Sequence, residues 1–505
     1  MCVQPWFLFA ALATSAASLR AQSSVTASST LSLKDLVAQV REANKDIRSK
    51  RGEQGIAATG MERASAAFQP IASVSATSGR NRQPNTFEES LSRGLASFYS
   101  RDGEDYAASV SQLLPTGAKL EAKTSLSRFI TNINQLAADR PEGAKDNRSF
   151  VGLTLTQPLA KDGGFIVTKA RTLVAELDLA VAQYTQAETE SSVVAEATLG
   201  YYELVLAQHR VEAAQEKIRT GQRLLTESQA LLRQGRLSQS DVWDVENALS
   251  RFQAGLSEAM QAERERLNRL NTLVMAATGA DLKAWRASDA LPEVPSAQSG
   301  LAAFAQEAVR LAMDSRQDFL LQKKLLEREG VQLVFAENQA LPRIDLVASY
   351  GRNGLAYSTS NAFRAGTTAD YPTWTLGLQM QIPLGKNLLG RADVDAAKLR
   401  RENVLLALKA LEVQIANDID TSLHLRNSAT ERWAHWQDVA RREQQQLDLE
   451  RKRFAAGRSE IREILIREER TVNSRLMVLE QQVAFAKAQV VLESAQGIFL
   501  KRWPS

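Results

Sequence analysis

The sequence predicts a mixed α and β membrane protein built as a tandem repeat, and three observations carry that prediction. Two windows of more than a hundred residues, between Pro158 and Pro292 and between Pro383 and Pro504, contain no proline, so nothing in them breaks a helix. Other segments alternate apolar with small polar side chains at the period of a β-strand. The same elements then recur in the same order in the second half. At 505 residues with 44% hydrophobic content the chain can bury a core. Its charge of +4 is small and spread out, without a basic patch interleaved with aromatics, so nucleic acid is not an expected partner.

The N-terminus, MCVQPWFLFAALATSAASLRAQ, has an apolar stretch from Trp6 to Ala17 and a small-residue exit at Leu19-Arg20-Ala21 or Ser15-Ala16-Ala17. It reads as a secretory signal peptide over residues 1–21, although no Lys or Arg precedes the apolar core. The only cysteine, Cys2, lies inside it, so the mature chain is expected to have neither a disulfide nor a lipid anchor. No later stretch approaches the apolar length of a spanning helix.

The repeat is visible by alignment. Placing Phe68 to Asn81 (FQPIASVSATSGRN) on Ala340 to Asn353 (ALPRIDLVASYGRN) brings Pro70 onto Pro342 and Gly79-Arg80-Asn81 onto Gly351-Arg352-Asn353. LTLTQPL at Leu153 to Leu159 falls on LQMQIPL at Leu378 to Leu384, and Gly235 falls on Gly457. The expected first repeat covers 22–290: a helix of about ten turns, strands at 70–80 and 148–158, and a long helical hairpin with its tip near 235. The expected second covers 291–505, with strands at 343–351 and 373–383 and its tip near 457.

The long segments have the spacing of packed helices. Leu173, Leu177, Ala180, Tyr184, Ala187, Ser191, Val194, Thr198, Tyr201 and Val205 alternate steps of four and three, a coiled-coil seam. Val242, Val245, Leu249, Phe252, Leu256 and Ala259 continue it after the turn, and Ile461, Leu465, Glu468, Val472, Arg475, Leu479, Val483, Ala486 and Val490 hold the period in the second half, with Glu468 and Arg475 as polar intrusions. At 1.5 Å per residue, the helix from Phe165 to Gln234 would be on the order of 100 Å long. A compact globule has no use for that length.

The strands say what such helices are attached to. Trp374, Leu376, Leu378, Met380 and Ile382 point one way, and Thr375, Gly377, Gln379 and Gln381 the other. Val151, Leu153 and Leu155 likewise oppose Gly152, Thr154 and Thr156, the pattern of a barrel strand with lipid on one side and water on the other. Polar loops are expected at Arg80 to Asp105, Phe129 to Asn147 and Gly351 to Pro372, with Tyr357, Tyr371 and Trp374 placed as an aromatic girdle. One chain offers four clear strands, or six if Tyr106 to Leu114 and Ala118 to Arg128 form a hairpin about Pro115-Thr116-Gly117. Single-chain barrels start at eight, so several chains must share one barrel.

These features together resemble the TolC-like outer-membrane efflux protein family over nearly the whole mature chain. The strand pairs are entered through Pro70 or Pro342 and left through Gln157-Pro158-Leu159 or Ile382-Pro383-Leu384, and the long helices turn at glycines. The resemblance implies a homotrimer whose twelve-stranded outer-membrane β-barrel, about four strands per chain, is continuous with a long periplasmic α-helical coiled-coil barrel. It implies an exit duct in the outer membrane, with a large periplasmic portion, that passively conducts substrate for a tripartite efflux or type I secretion system. The implied partners are a periplasmic adaptor (membrane fusion protein), an inner-membrane transporter and outer-membrane lipid.

The resemblance also assigns sites. Gly235 and Gly457 are similar to the family's two periplasmic tip turns, where the adaptor docks; the family's aromatic three residues earlier is kept by Phe454 and replaced by Leu232. Ser240-Asp241-Val242 resembles a hydroxyl-Asp-Val step near the periplasmic aperture. Glu463 falls where the family often has an aspartate lining the constriction, while Ile466 replaces a second acid. Three copies of Glu463 would form a carboxylate ring favouring cations. Arg236, Arg458 and Arg462 lie close enough in sequence to tether such carboxylates in a closed state. The plainer alternatives are ordinary helix-ending glycines and a solvated charged helix face.

Enzymatic chemistry is not expected. His209, His424 and His435 are scattered over helices without metal-ligand spacing, and no phosphate-binding glycine loop or nucleophile elbow is present. No cofactor or metal is expected either. The competing reading is a periplasmic coiled-coil adaptor or scaffold without channel activity, which two hairpins per chain and the amphipathic strands disfavour.

Overall fold

The computed structural model describes residues 29–133, 144–275, 285–295, 301–368 and 370–503. The expected signal peptide and Cys2 lie outside the described residues. The chain divides into two units. One comprises the described parts of 1–36, 200–291 and 443–476, the other those of 37–199, 292–442 and 477–505.

In chain order the elements are β1 (Ser29–Leu31), α1 (Leu33–Ala43), α2 (Lys45–Ser65), β2 (Ile71–Pro84), α3 (Phe87–Ser92), β3 (Phe98–Leu113), β4 (Lys119–Thr131), β5 (Asp146–Pro158) and α4 (Phe165–Arg233). They continue as α5 (Gln239–Leu273), β6 (Trp285–Ala287), α6 (Leu301–Ser315), α7 (Gln317–Gln339), β7 (Arg343–Ala356), α8 (Thr359–Thr367), β8 (Pro372–Gln381), α9 (Leu388–Ala455) and α10 (Ile461–Ala495). α4 and α9 run 69 and 68 residues without interruption, as the proline-free windows require. No described helix is long and apolar enough to cross a membrane.

The helices expected to run about ten turns before each strand pair are each broken in two. In the first half Asn44 leaves the helix at ψ 131°, and its side-chain oxygen accepts the Asp46 and Ile47 N–H groups, so one helix ends and a capped one begins. In the second the break is at Arg316, whose guanidinium bonds Asp318 at 2.7 Å and Asp418 at 3.0 Å. The turn that ends α10 fills this break. Gly497 has φ +71° there, and a Cβ on it would lie 2.7 Å from Arg316 backbone atoms. Next to it Ala308, Ala312, Phe319, Leu408, Ile415, Ile419, Leu423 and Leu492 form the buried core of this unit.

The second unit also holds a six-stranded antiparallel sheet in the order β2-β3-β4-β5-β7-β8. Of the two counts open from sequence, four strands or six, the sheet has six rather than the four that the resemblance implies: the hairpin about Pro115-Thr116-Gly117 forms and inserts β3 and β4 between β2 and β5. The strands also run further than expected, so β2, β3 and β7 take up much of what the sequence assigns to polar loops, and α3 and α8 occupy part of the remainder.

Register separates the sheet into two faces, because directly opposed residues share a face. One row crosses all six strands as Ala72, Val110, Ala122, Leu153, Tyr350 and Trp374. The next row, on the other face, is Ser73, Ser109, Lys123, Gly152, Gly351 and Thr373. The apolar face is open to its surroundings, with Val74 at 83%, Trp374 at 72% and Leu376 at 67% exposure. Leaving so many large side chains uncovered on a sheet in water would be costly; against hydrocarbon it is the favourable arrangement.

In the other unit β1 and β6 form a two-stranded parallel sheet. Tyr201 of α4 anchors it: its hydroxyl donates to the Leu31 carbonyl at 3.1 Å and sits 3.1 Å from the Asp289 carboxylate. Burial pushes the Tyr201 phenol up to about 12, so it stays a donor. Small hydroxyls where helices pack turn inward onto their own backbones, as Thr198 does to Val194 O and Ser228 to Leu224 O, which lets polar residues lie buried in a seam.

Gly235→Ala and Gly457→Ala are each expected to cost about 1–2 kcal/mol, the penalty of a side chain in the left-handed region, because nothing crowds either position. Gly497→Ala should cost more, since its Cβ also meets the Arg316 backbone. Thermal unfolding of the three variants checks the ranking.

Candidate functional site at the paired helix turns

The two glycine turns are the same turn built twice. At the first, Gly235 adopts φ +68°, its N–H donates to Leu232 O and the Arg236 N–H donates to Leu231 O, both at 2.9 Å. At the second, Gly457 adopts φ +71°, its N–H donates to Phe454 O and the Arg458 N–H to Arg453 O, again both at 2.9 Å. This pair of bonds satisfies the last carbonyls of α4 and α9 and needs a left-handed residue at its pivot, hence glycine.

The turns lie side by side because an apolar cluster joins their helices. Leu224, Val245, Ala248, Ile461, Ile464 and Leu465 are buried together, with Leu225, Leu237, Phe252 and Phe454 packed against them. Phe454 is therefore half-buried, its ring spent partly on holding the turns together. Beside the cluster runs a groove of about 590 Å³. Arg236, Leu237 and Asp241 line it from one turn, and Phe454, Gly457 and Ser459 from the other. Farther along, Arg451 of α9 bonds Glu468 of α10, with Nε at 3.1 Å, which fixes that wall.

The expected aperture and tether residues take unequal roles. Asp241 closes a capping box at the start of α5: its Oδ2 accepts the Ser238 N–H at 3.0 Å and the Ser238 hydroxyl at 2.6 Å, while Ser238 Oγ accepts the Asp241 N–H at 3.3 Å. Those bonds from Ser238, with Arg462 nearby as a lesser cause, hold the Asp241 carboxyl below its ordinary range. Ser240 Oγ lies 2.8 Å from Ser238 Oγ. Glu463 is exposed, and among the described residues its carboxylate has no side-chain partner.

Of the three arginines, only Arg462 makes an ion pair among the described residues. It goes to Asp244, with Nε and Nη2 at 3.0 and 2.5 Å from Oδ2, and this bond raises the guanidinium pKa. It does not go to Asp241 or Glu463. Arg236 and Arg458 are exposed.

Sequence reasoning missed Asp244 and its neighbour Trp243, which is 57% exposed. The repeat held a signal for Asp244. Shifting one half by the spacing of the two glycines places Asp241 on Glu463 and Asp244 on Ile466, so the second acid lost from one half is present in the other. The arrangement offers charged, water-facing side chains around a groove. No group of three or more His, Cys, Asp or Glu among the described residues is placed to hold a metal ion.

Comparison with known proteins fits this geometry. Residues 308–497 match the family model described as "Outer membrane efflux protein". A sequence comparison with curated proteins finds no match. Among solved structures, the chain is similar to the Campylobacter jejuni CmeC outer membrane channel at 14% identity and TM-score 0.63, covering 92% of this chain and 86% of that one. It is similar to the open state of the Neisseria gonorrhoeae MtrE outer membrane channel at 16% identity and TM-score 0.61, covering 94% and 91%. A Pseudomonas aeruginosa membrane protein is similar at 16% identity and TM-score 0.63, over 92% and 90%. The resemblance to TolC-like outer-membrane efflux proteins thus holds in sequence for residues 308–497 and in fold for about nine-tenths of the chain.

Ser238→Ala is expected to weaken the first turn of α5 by about 1 kcal/mol, the usual value of such a cap, measured by amide hydrogen exchange at residues 239–242. Because the Asp241 pKa is lowered in the folded chain, its share of the cap is full above the ordinary carboxylate range near pH ~4. That share is lost as pH falls through the lowered value.

Proposed function

We infer, from a chain with the fold of the TolC-family channels and an outer membrane efflux sequence match in its second half, that it is an outer-membrane exit duct. The observation that carries this reading is the sheet: a largely apolar face that crosses all six strands, interrupted by Thr124, Ser149 and Arg352, a mainly polar face behind it, and two open edges at β2 and β8. In a bilayer those edges must be paired, since backbone groups left unbonded in hydrocarbon cost several kcal/mol each. Copies of the chain supply the partner, and the family resemblance supports three. The apolar face then meets lipid and the polar face lines water.

The 69- and 68-residue helices carry the conduit from the outer membrane through the periplasm. Substrate diffuses passively, and an inner-membrane transporter supplies the energy. The groove beside Gly235 and Gly457 is the docking place for a periplasmic adaptor, whose helical tip would meet Phe454, Arg236 and the bare glycine backbones. Three copies of Glu463 ring the aperture and favour cations. Arg462, bonded to Asp244, ties α10 to α5 and holds the aperture narrow, with Arg236 and Arg458 as further tethers between copies. Ser240 and Asp241 shape the aperture through the α5 cap.

Single-channel recording of the detergent-extracted oligomer in planar bilayers tests the duct. Steady cation-selective conductance is expected from the native chain, with weaker selectivity for Glu463→Ala and a larger conductance for Arg462→Ala. A correctly folded oligomer that stays in the soluble periplasmic fraction and never conducts, even as Arg462→Ala, would make it an adaptor instead.

A further inference from the structure

Each chain contributes six strands to the sheet, and the hairpin β3–β4 is the pair that the resemblance does not lead one to expect. We propose that β3 and β4 are a third pair of membrane-spanning strands, so that the homotrimer closes an eighteen-stranded barrel rather than a twelve-stranded one. The proposal rests on the homotrimeric duct inferred above. Barrel diameter grows roughly linearly with strand number, so this barrel is about 1.5-fold wider in the membrane.

The hairpin is part of the wall along its whole length. β3 pairs with β2 from Ile71↔Ser111 to Pro84↔Phe98, and β4 pairs with β5 from Lys119↔Thr156 to Phe129↔Asp146. Its outward residues are mainly apolar, Tyr106, Ala108 and Val110 on β3 and Leu120, Ala122 and Leu126 on β4 with Gln112 and Thr124 among them, and continue the apolar face of the flanking strands in register. Its other side carries Lys119, Glu121 and Lys123 beside Ser109 and Ser125, which suits a water-filled lumen. A hairpin that stood off the wall would leave its apolar row in water and would return β2 to β5 as neighbours. The observed register excludes that pairing.

The base of the hairpin is fastened as well. The Thr116 carbonyl accepts the Gly164 N–H at 3.2 Å and the Gln157 Nε2 at 3.4 Å, and Ala118 is 3% exposed. These bonds join the turn to the segment leading from β5 into α4.

Closure follows from strand direction. With six antiparallel strands, β2 and β8 run in opposite directions, so β2 of one copy pairs antiparallel with β8 of the next. The apolar positions reach both edges, Val74 and Ala76 on β2 and Trp374 and Leu376 on β8, and the lipid-facing band runs on across each junction. A mouth of this width passes bulky hydrated solutes. Size selection then falls to the narrower periplasmic aperture, and the membrane segment discriminates little.

The test uses the full-length chain in outer membranes, with single cysteines at Ala107, Ala108, Ala122 and Lys123 and a water-soluble maleimide. Ala107→Cys and Lys123→Cys, on the polar face, are expected to label. Ala108→Cys and Ala122→Cys, on the apolar face, should label only after detergent denaturation. Equal labelling of both faces in the intact membrane would overturn the proposal. Native mass spectrometry of the extracted oligomer separates this from the reading beneath it: three copies give eighteen strands, while another copy number overturns the homotrimer and the count of eighteen even if the labelling alternates. As a functional readout, a variant joining Pro84 to Asp146 through a short turn should lower the radius of neutral polymer admitted from the outer side by about a third. A folded variant with an unchanged limit would also overturn the proposal, and should the variant not fold, the labelling pattern still decides.

Discussion

Two unpaired sheet edges set the terms for the rest of this protein. β2 and β8 each present a row of backbone donors and acceptors with no strand partner among the described residues, on a sheet whose apolar face suits hydrocarbon. Water can satisfy such groups and lipid cannot. In the proposed duct the edges would govern how many chains assemble, because six strands fall short of a closed barrel and an even number lets the last strand of one copy meet the first of the next in antiparallel sense.

The helical part obeys a different constraint, the satisfaction of helix ends. Two long helices must reverse and return, and each reversal leaves carbonyls that need donors. The chain solves this twice with the same pair of hydrogen bonds pivoting on Gly235 and Gly457. With that geometry repeated, one apolar cluster gathers both turns, and charged residues of both line the groove beside it. The docking surface and the aperture proposed here thus rest on the same apolar cluster.

Legibility of the site followed the physics of each residue. A glycine that must adopt positive φ between two helical seams can be read from sequence, because few other residues tolerate that conformation. Carboxylates were harder. Asp241, three residues after Ser238, satisfies the pattern of a helix cap as well as that of an aperture acid, and the structure spends its oxygen on the cap. Arg462 was expected to tether an aperture carboxylate, and in the structure it bonds Asp244, which lies in the other half of the chain at a separation no local spacing rule covers. Phe454, read as a docking aromatic, is also part of the cluster between the turns.

The sequence by itself determined the local periods: proline-free windows dictate long helices, alternation dictates two-faced strands, and left-handed turns dictate glycine. It also carried the likeness between halves and to the TolC-like family, since those are properties of residue order. Only the tertiary structure decided which strands neighbour one another. The β3–β4 hairpin was legible as an option, but its insertion between β2 and β5 depends on hydrogen bonds between distant segments, to which the alternation within any one strand is indifferent. The same holds for the breaks at Asn44 and Arg316. Helical periodicity runs through both sites, and what ends the helix is a cap in one case and the packing of Gly497, some 180 residues away, in the other.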